Sequence, residues 1–177
     1  MESIDLLVLR TARDWLAAGE SVLLATVART WGSSPRPVGS MMALRNDGRV
    51  VGSVSGGCIE DDLIHRYTTA YGGAGLTQGP PEVVRYGVSA DEAHRFGLPC
   101  GGTLELIFEF NPSWQSLDEL LTQLDAGRLV RRRLKLASNE VTLEPSATPE
   151  QFSFDGEVML NTLGPGYRLR LRGSCCL

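Results

Sequence analysis

Gly52-Ser53-Val54-Ser55-Gly56-Gly57-Cys58-Ile59-Glu60-Asp61-Asp62 joins two kinds of periodicity. Upstream, Val50, Val51 and Val54 are β-branched, as a pleated strand favours. Downstream, Leu63, Tyr67 and Tyr71 recur every four residues, as on one face of a helix. The stretch therefore reads strand, tight turn, helix, with the helix running from about Gly56 to Tyr71. Ser55 is the expected N-cap, and Glu60, Asp61 and Asp62 supply negative charge to the first turn. The two glycines permit a sharp bend that leaves amide N–H groups uncovered. Cys58 would lie at the positive end of the helix, where unpaired N–H groups and the dipole favour a nucleophilic thiolate. The plainer reading is that Gly-Gly only makes the turn and that Cys58 is a small buried residue.

Working outward, Ser40 to Arg45 and Arg49 to Val54 flank Asn46-Asp47-Gly48, the chemistry of a tight hairpin turn. That hairpin brings the loop at its entrance and the Gly-Gly-Cys turn at its exit to one end. The entrance loop, Arg29-Thr30-Trp31-Gly32-Ser33-Ser34-Pro35-Arg36-Pro37-Val38-Gly39-Ser40, offers two guanidinium groups, several hydroxyls and a flat indole. Such a set suits a ring-bearing, phosphate-bearing ligand, and an ordinary surface loop is the alternative. Before it, Ile4 to Trp15 has helical spacing, and Val22 to Val27 is a nearly continuous apolar run, as in a central strand buried on both faces.

Beyond the helix, Glu82 to Tyr86 reads as a strand, and Ser89 caps a short helical turn with Glu92 as its capping-box partner. Gly97-Leu98-Pro99-Cys100-Gly101-Gly102-Thr103 then leads into the strand Leu104 to Phe110. It repeats the pairing of a cysteine with two glycines in reverse order. If both glycine turns share one rim, Cys58 and Cys100 could face a cavity floored by amides, with Glu60 or Glu105 as a nearby carboxylate. Trp114 to Leu124 is a further helix, followed by short strands at Leu129 to Leu136, Glu140 to Leu143, Gln151 to Phe154 and Glu157 to Leu163. The expected fold is α/β, a mixed sheet with flanking helices and a small β-rich C-terminal appendage. The expected divisions are 1–112, 113–166 and 167–177.

Size and composition narrow the function classes. A chain of 177 residues can bury a core without disulfides, and 42% hydrophobic with 21% charged residues excludes a disordered polymer. The formal charge of −4 gives no general attraction to polyanions, so nucleic acid is not an expected partner. Arg131-Arg132-Arg133 with Lys135 alternates as on the solvated face of a strand. No apolar run is long enough to span a bilayer and the N-terminus lacks a basic leader, so a cytoplasmic protein with no membrane contact is expected. Cys58, Cys100 and the adjacent Cys175-Cys176 form neither a disulfide framework nor a CxxC site. Reduced thiols are therefore the default.

The segments Thr30 to Met41 and Gly52 to Glu60 closely resemble the XdhC/CoxI family, and Gly97-Leu98-Pro99-Cys100-Gly101-Gly102 is similar to that family's second signature. These are maturation factors for xanthine dehydrogenase and carbon monoxide dehydrogenase. The resemblance implies a chaperone that binds the molybdenum cofactor (molybdopterin) transiently, protects it during sulfuration with a cysteine desulfurase, and delivers it to an apo molybdenum hydroxylase. It places oxyanion contacts at Ser33, Ser34 and Arg36 and a cofactor-binding turn at Ser55, Gly56, Gly57, Cys58 and Glu60. A second such turn is placed at Cys100, Gly101 and Gly102, with Cys58 and Cys100 on the metal or its sulfur. Family members usually continue into a Rossmann-like domain. Tyr167 to Gly173 resembles its first strand, but Ser174-Cys175-Cys176-Leu177 stands where the glycine fingerprint would be, so a short form without NAD is expected. A strand so left would favour a homo-oligomer. Two other readings remain open: a thiol-dependent sulfur or acyl transferase with Cys58 or Cys100 as catalytic nucleophile, and a non-catalytic protein assembly module.

Overall fold

The computed structural model describes residues 3–32, 36–69, 72–76, 78–87, 89–96 and 102–164. Among the described residues, four helices, α1 (Ile4–Ala17), α2 (Cys58–Tyr67), α3 (Ala90–Arg95) and α4 (Trp114–Asp125), accompany nine strands. The first five strands are β1 (Val22–Trp31), β2 (Met41–Arg45), β3 (Val50–Gly52), β4 (Glu82–Tyr86) and β5 (Thr103–Phe110), in the sheet order β3-β2-β1-β5-β4. The remaining four are β6 (Leu129–Lys135), β7 (Glu140–Ser146), β8 (Ser153–Phe154) and β9 (Val158–Leu163), in the order β7-β6-β9-β8. The protein is α/β as expected, and the strand pairings described are antiparallel throughout.

β1 occupies the centre of the larger sheet because its residues are apolar on both faces. Leu23, Ala25 and Val27 join Ile59 and Leu63 of α2 and Ala93 of α3 in one core. Val22 and Leu24 join Leu9 and Ala12 of α1, Leu117 and Leu121 of α4, and Val130 of β6 in another. Helices thus cover one face of the sheet, and helices with the second sheet cover the other. Each apolar side chain that is fully buried contributes about 1.5–3 kcal/mol, so this continuous apolar run ties both layers to one strand.

The register decides where the loops go. Thr26 lies opposite Met41, Met42 opposite Gly52, Trp31 opposite Thr103 and Tyr86 opposite Leu104. One rim of the sheet therefore carries the loop after β1, the turn after β3, and the connection entering β5. The hairpin turn closes with the Gly48 amide donating to the Arg45 carbonyl at 2.9 Å. At the rim, a Cβ added to Gly32 would lie 3.3 Å from the Gly102 Cα, so the first loop and the second glycine turn touch through backbone alone.

Two expectations change. The basic run of β6 is not wholly solvated. Val130, Arg132 and Leu134 face inward, and Arg132 is 4% exposed, its guanidinium paired with the buried Glu109 of β5 at 2.6 and 3.1 Å. The helix after the glycine turn begins at Cys58 with Gly57 as its N-cap, not at Ser55, and it ends at Tyr67.

Candidate functional site

Gly56 and Gly57 adopt φ values of +98° and +148°, a conformation that favours glycine, and they bend the chain between β3 and α2. The bend curls successive amides around a single point, and Glu60 fills it. One carboxylate oxygen accepts from the Ser53 hydroxyl at 2.7 Å and from the amides of Val54, Ser55 and Gly56 at 2.8, 2.9 and 3.3 Å. The other accepts from the Gly57 amide at 2.9 Å and from the Ser55 hydroxyl. Glu60 is 7% exposed. Burial pushes its carboxyl up, but the Ser55 and Ser53 hydroxyls and the turn amides more than offset this and hold it at about 2. The amides that the sequence reading leaves uncovered are thus turned inward onto the chain's own carboxylate.

Ser55 is buried, and its hydroxyl also accepts from the Ile59 amide at 3.3 Å, so it braces the helix start from two residues before the cap. The consequence for Cys58 is geometric. With the turn pinned from inside, the thiol at the first position of α2 is left on the exposed side.

Arg36 reaches this turn from the neighbouring loop, its Nε donating to the Ser53 hydroxyl at 3.4 Å. Gly102 stands at the same rim beside Gly32. Of the residues picked out from the sequence, Arg36, Ser55, Gly56, Gly57, Cys58 and Glu60 come together, with Gly102 on the shared rim. Ser33, Ser34, Cys100 and Gly101 lie outside the described residues, as do Tyr71 and the segment 167–177. Glu105 does not join the Gly-Gly-Cys turn. It is 1% exposed and held by Arg85 at 2.7 Å and Arg29 at 3.4 Å, and Arg85 in turn lies over the half-exposed Trp31 ring at 5.7 Å.

Sequence reasoning missed a cleft of about 440 Å³ beside the thiol, lined by Cys58, Asp61, Asp62, His65, Arg95 and Phe96. The signal available was spacing. Cys58, Asp61 or Asp62, and His65 repeat at three to four residues and so share one helix face. Arg95 and Phe96 come from α3 and its C-terminal cap and could be placed only by the fold. Among the described residues, no cluster of three or more histidine, cysteine or carboxylate side chains is arranged to hold a metal ion. No helix among them is long and apolar enough to cross a membrane.

The chain is an α/β protein that brings the Gly56-Gly57 turn, Gly102 and the exposed Cys58 to one rim of its larger sheet. The chain matches the XdhC and CoxI family model over residues 15–87. It is 30% identical over 149 residues to the molybdenum cofactor insertion chaperone PaoD of Escherichia coli, covering 84% of this chain and 45% of that protein. It is also 30% identical over 82 residues to a probable xanthine dehydrogenase subunit of Bacillus subtilis, covering 46% of this chain and 23% of that one. A crystallised xanthine dehydrogenase from Bacillus halodurans superposes with a TM-score of 0.64 at 25% identity, over 91% of this chain and 53% of its own. The chain thus spans less than half the length of the curated relatives it matches.

Proposed function

We propose that the chain is a carrier for molybdenum cofactor. It takes up the molybdopterin form as cargo, shields it while a cysteine desulfurase supplies the sulfur ligand, and passes it to an apo molybdenum hydroxylase of the xanthine dehydrogenase or carbon monoxide dehydrogenase type. The setting is the cytoplasm. The observation that carries this reading is the convergence at one rim of an exposed thiol at Cys58, a guanidinium at Arg36 and a half-exposed indole at Trp31. A soft thiolate suits a thiophilic metal, and a rim that is cationic and aromatic around it suits a ligand with an anionic arm and a flat ring. The kinship with a molybdenum cofactor insertion chaperone favours the same cargo. Glu60 is the part of this arrangement that does not touch the cargo. Its carboxylate is spent on the turn, so its role is to fix the backbone that presents Cys58.

The test is anaerobic titration of the purified chain with molybdenum cofactor, followed by co-elution and molybdenum content. The expected result is binding near one equivalent that weakens in Cys58→Ala. A folded chain that retains no molybdenum at any cofactor concentration would overturn the reading.

A further inference from the structure

The inward turning of the Val54, Ser55, Gly56 and Gly57 amides leaves the cargo's anionic arm without the donors that a glycine turn at a helix start would ordinarily supply. The charge must be met elsewhere. We propose that Arg95 receives the phosphate arm of the cofactor in the cleft between α2 and α3, with Asp61 accepting from the N–H edge of its pterin ring and Cys58 facing the metal. The proposal rests on the carrier reading and assigns the groups of the same site.

The chemistry of the cleft supports this division. Its volume of about 440 Å³ falls in the range of small-molecule sites, roughly 300–1,000 Å³. Of its two aspartates, Asp62 is already engaged, accepting from Arg66 at 2.9 Å and from the Tyr86 hydroxyl at 3.0 Å. The Asp61 carboxylate makes no hydrogen bond or ion pair among the described residues, and the Arg95 guanidinium makes none either, lying only over the Phe96 ring at 5.3 Å. One carboxylate and one guanidinium therefore stand uncommitted beside an exposed thiol. That matches a ligand with one acidic arm, one donor-bearing ring edge and one soft metal.

The wall carrying these groups is fixed. Phe96 packs edge-on against Tyr86 at 5.0 Å and 87°, and the Tyr86 hydroxyl ties that wall to α2 through Asp62. On α2, His65 Nδ1 lies 2.8 Å from the Asp61 carbonyl. A carbonyl can only accept, so that nitrogen carries the proton and donates back to the helix. Cys58 and Asp61 are three residues apart on one helix face, with a rise of about 4.5 Å between them. A ring lying along α2 can meet both.

Equilibrium binding under anaerobic conditions, with molybdenum cofactor and with its dephosphorylated form, separates the possibilities. Arg95→Gln is expected to weaken the phosphorylated form roughly tenfold to a hundredfold, the range of a lost charge-assisted contact, and to leave the dephosphorylated form unchanged. Arg95→Lys should recover part of the loss, because the charge returns without the planar fork. Asp61→Asn should weaken both forms alike. Wild-type affinity in Arg95→Gln, or an equal loss for both forms, would overturn the assignment and leave the carrier reading standing. No binding of either form by the folded wild-type chain would overturn both.

Discussion

The turn before α2 and the joint between the two sheets each bury a carboxylate, and they satisfy it in opposite ways. Glu60 is surrounded by neutral donors, two hydroxyls and four amides from five consecutive residues. Glu109 is held by the single guanidinium of Arg132, from a strand of the other sheet. Many weak donors distribute the cost of losing any one of them. A single charged partner concentrates it. The first arrangement suits a turn that must keep one shape, and the second suits a joint that must not slip.

Breaking the joint should have the largest effect. Arg132→Met leaves the Glu109 charge in a site 2% exposed, and an uncompensated buried charge costs about 3–5 kcal/mol. Urea denaturation should show that loss as a lower midpoint. The double variant Arg132→Met with Glu109→Leu should regain most of it, since two apolar residues in place of a buried pair are often neutral or stabilising. A double variant no more stable than the single one would mean that the pair itself, rather than the orphaned charge, holds the sheets together.

Glu60→Gln comes next, at about 2 kcal/mol, because an amide keeps one acceptor oxygen and forces an NH2 group against donors. Its sharper signature is in pH. The carboxyl of Glu60 lies at about 2 when folded, below its ordinary value of 4.5, so its stabilisation is fully present above about pH 4.5. It is lost as pH falls through that window toward 2, and at full extent it amounts to about 3 kcal/mol. Wild-type stability should therefore drop between pH 4.5 and 2 more steeply than that of Glu60→Gln. Parallel curves would show that the carboxylate is not held as described.

The contrast also explains what was legible in the sequence. Asn46-Asp47-Gly48 between two apolar runs announces its hairpin, and Val22 to Val27 announces a central strand, because both signals are local. The role of Glu60 hung on the phase of the cap. With Ser55 as N-cap, the third helical position would be Cys58. With the observed cap at Gly57 it is Glu60, the position from which a carboxylate reaches back to the start of the helix. Arg132 reads as solvated because its partner stands 23 residues away in another strand, and only the fold brings the two side chains together. Arg95 and Phe96 were invisible for the same reason, since α3 meets α2 only after the sheet has been assembled.

The smallest expected effect on stability is also the most informative about the turn. Cys58 is exposed, so Cys58→Ala removes a thiol that supports no packing, and unfolding should stay within about 0.5 kcal/mol of wild type. Cofactor retention should nevertheless fall. That combination would separate the two sides of a single turn, one carrying the fold through Glu60 and the other carrying the cargo through Cys58. A destabilisation of more than about 1 kcal/mol in Cys58→Ala would instead place the thiol among the supports of the helix start. The division of labour within the turn would then fail, even if the variant also lost its cofactor.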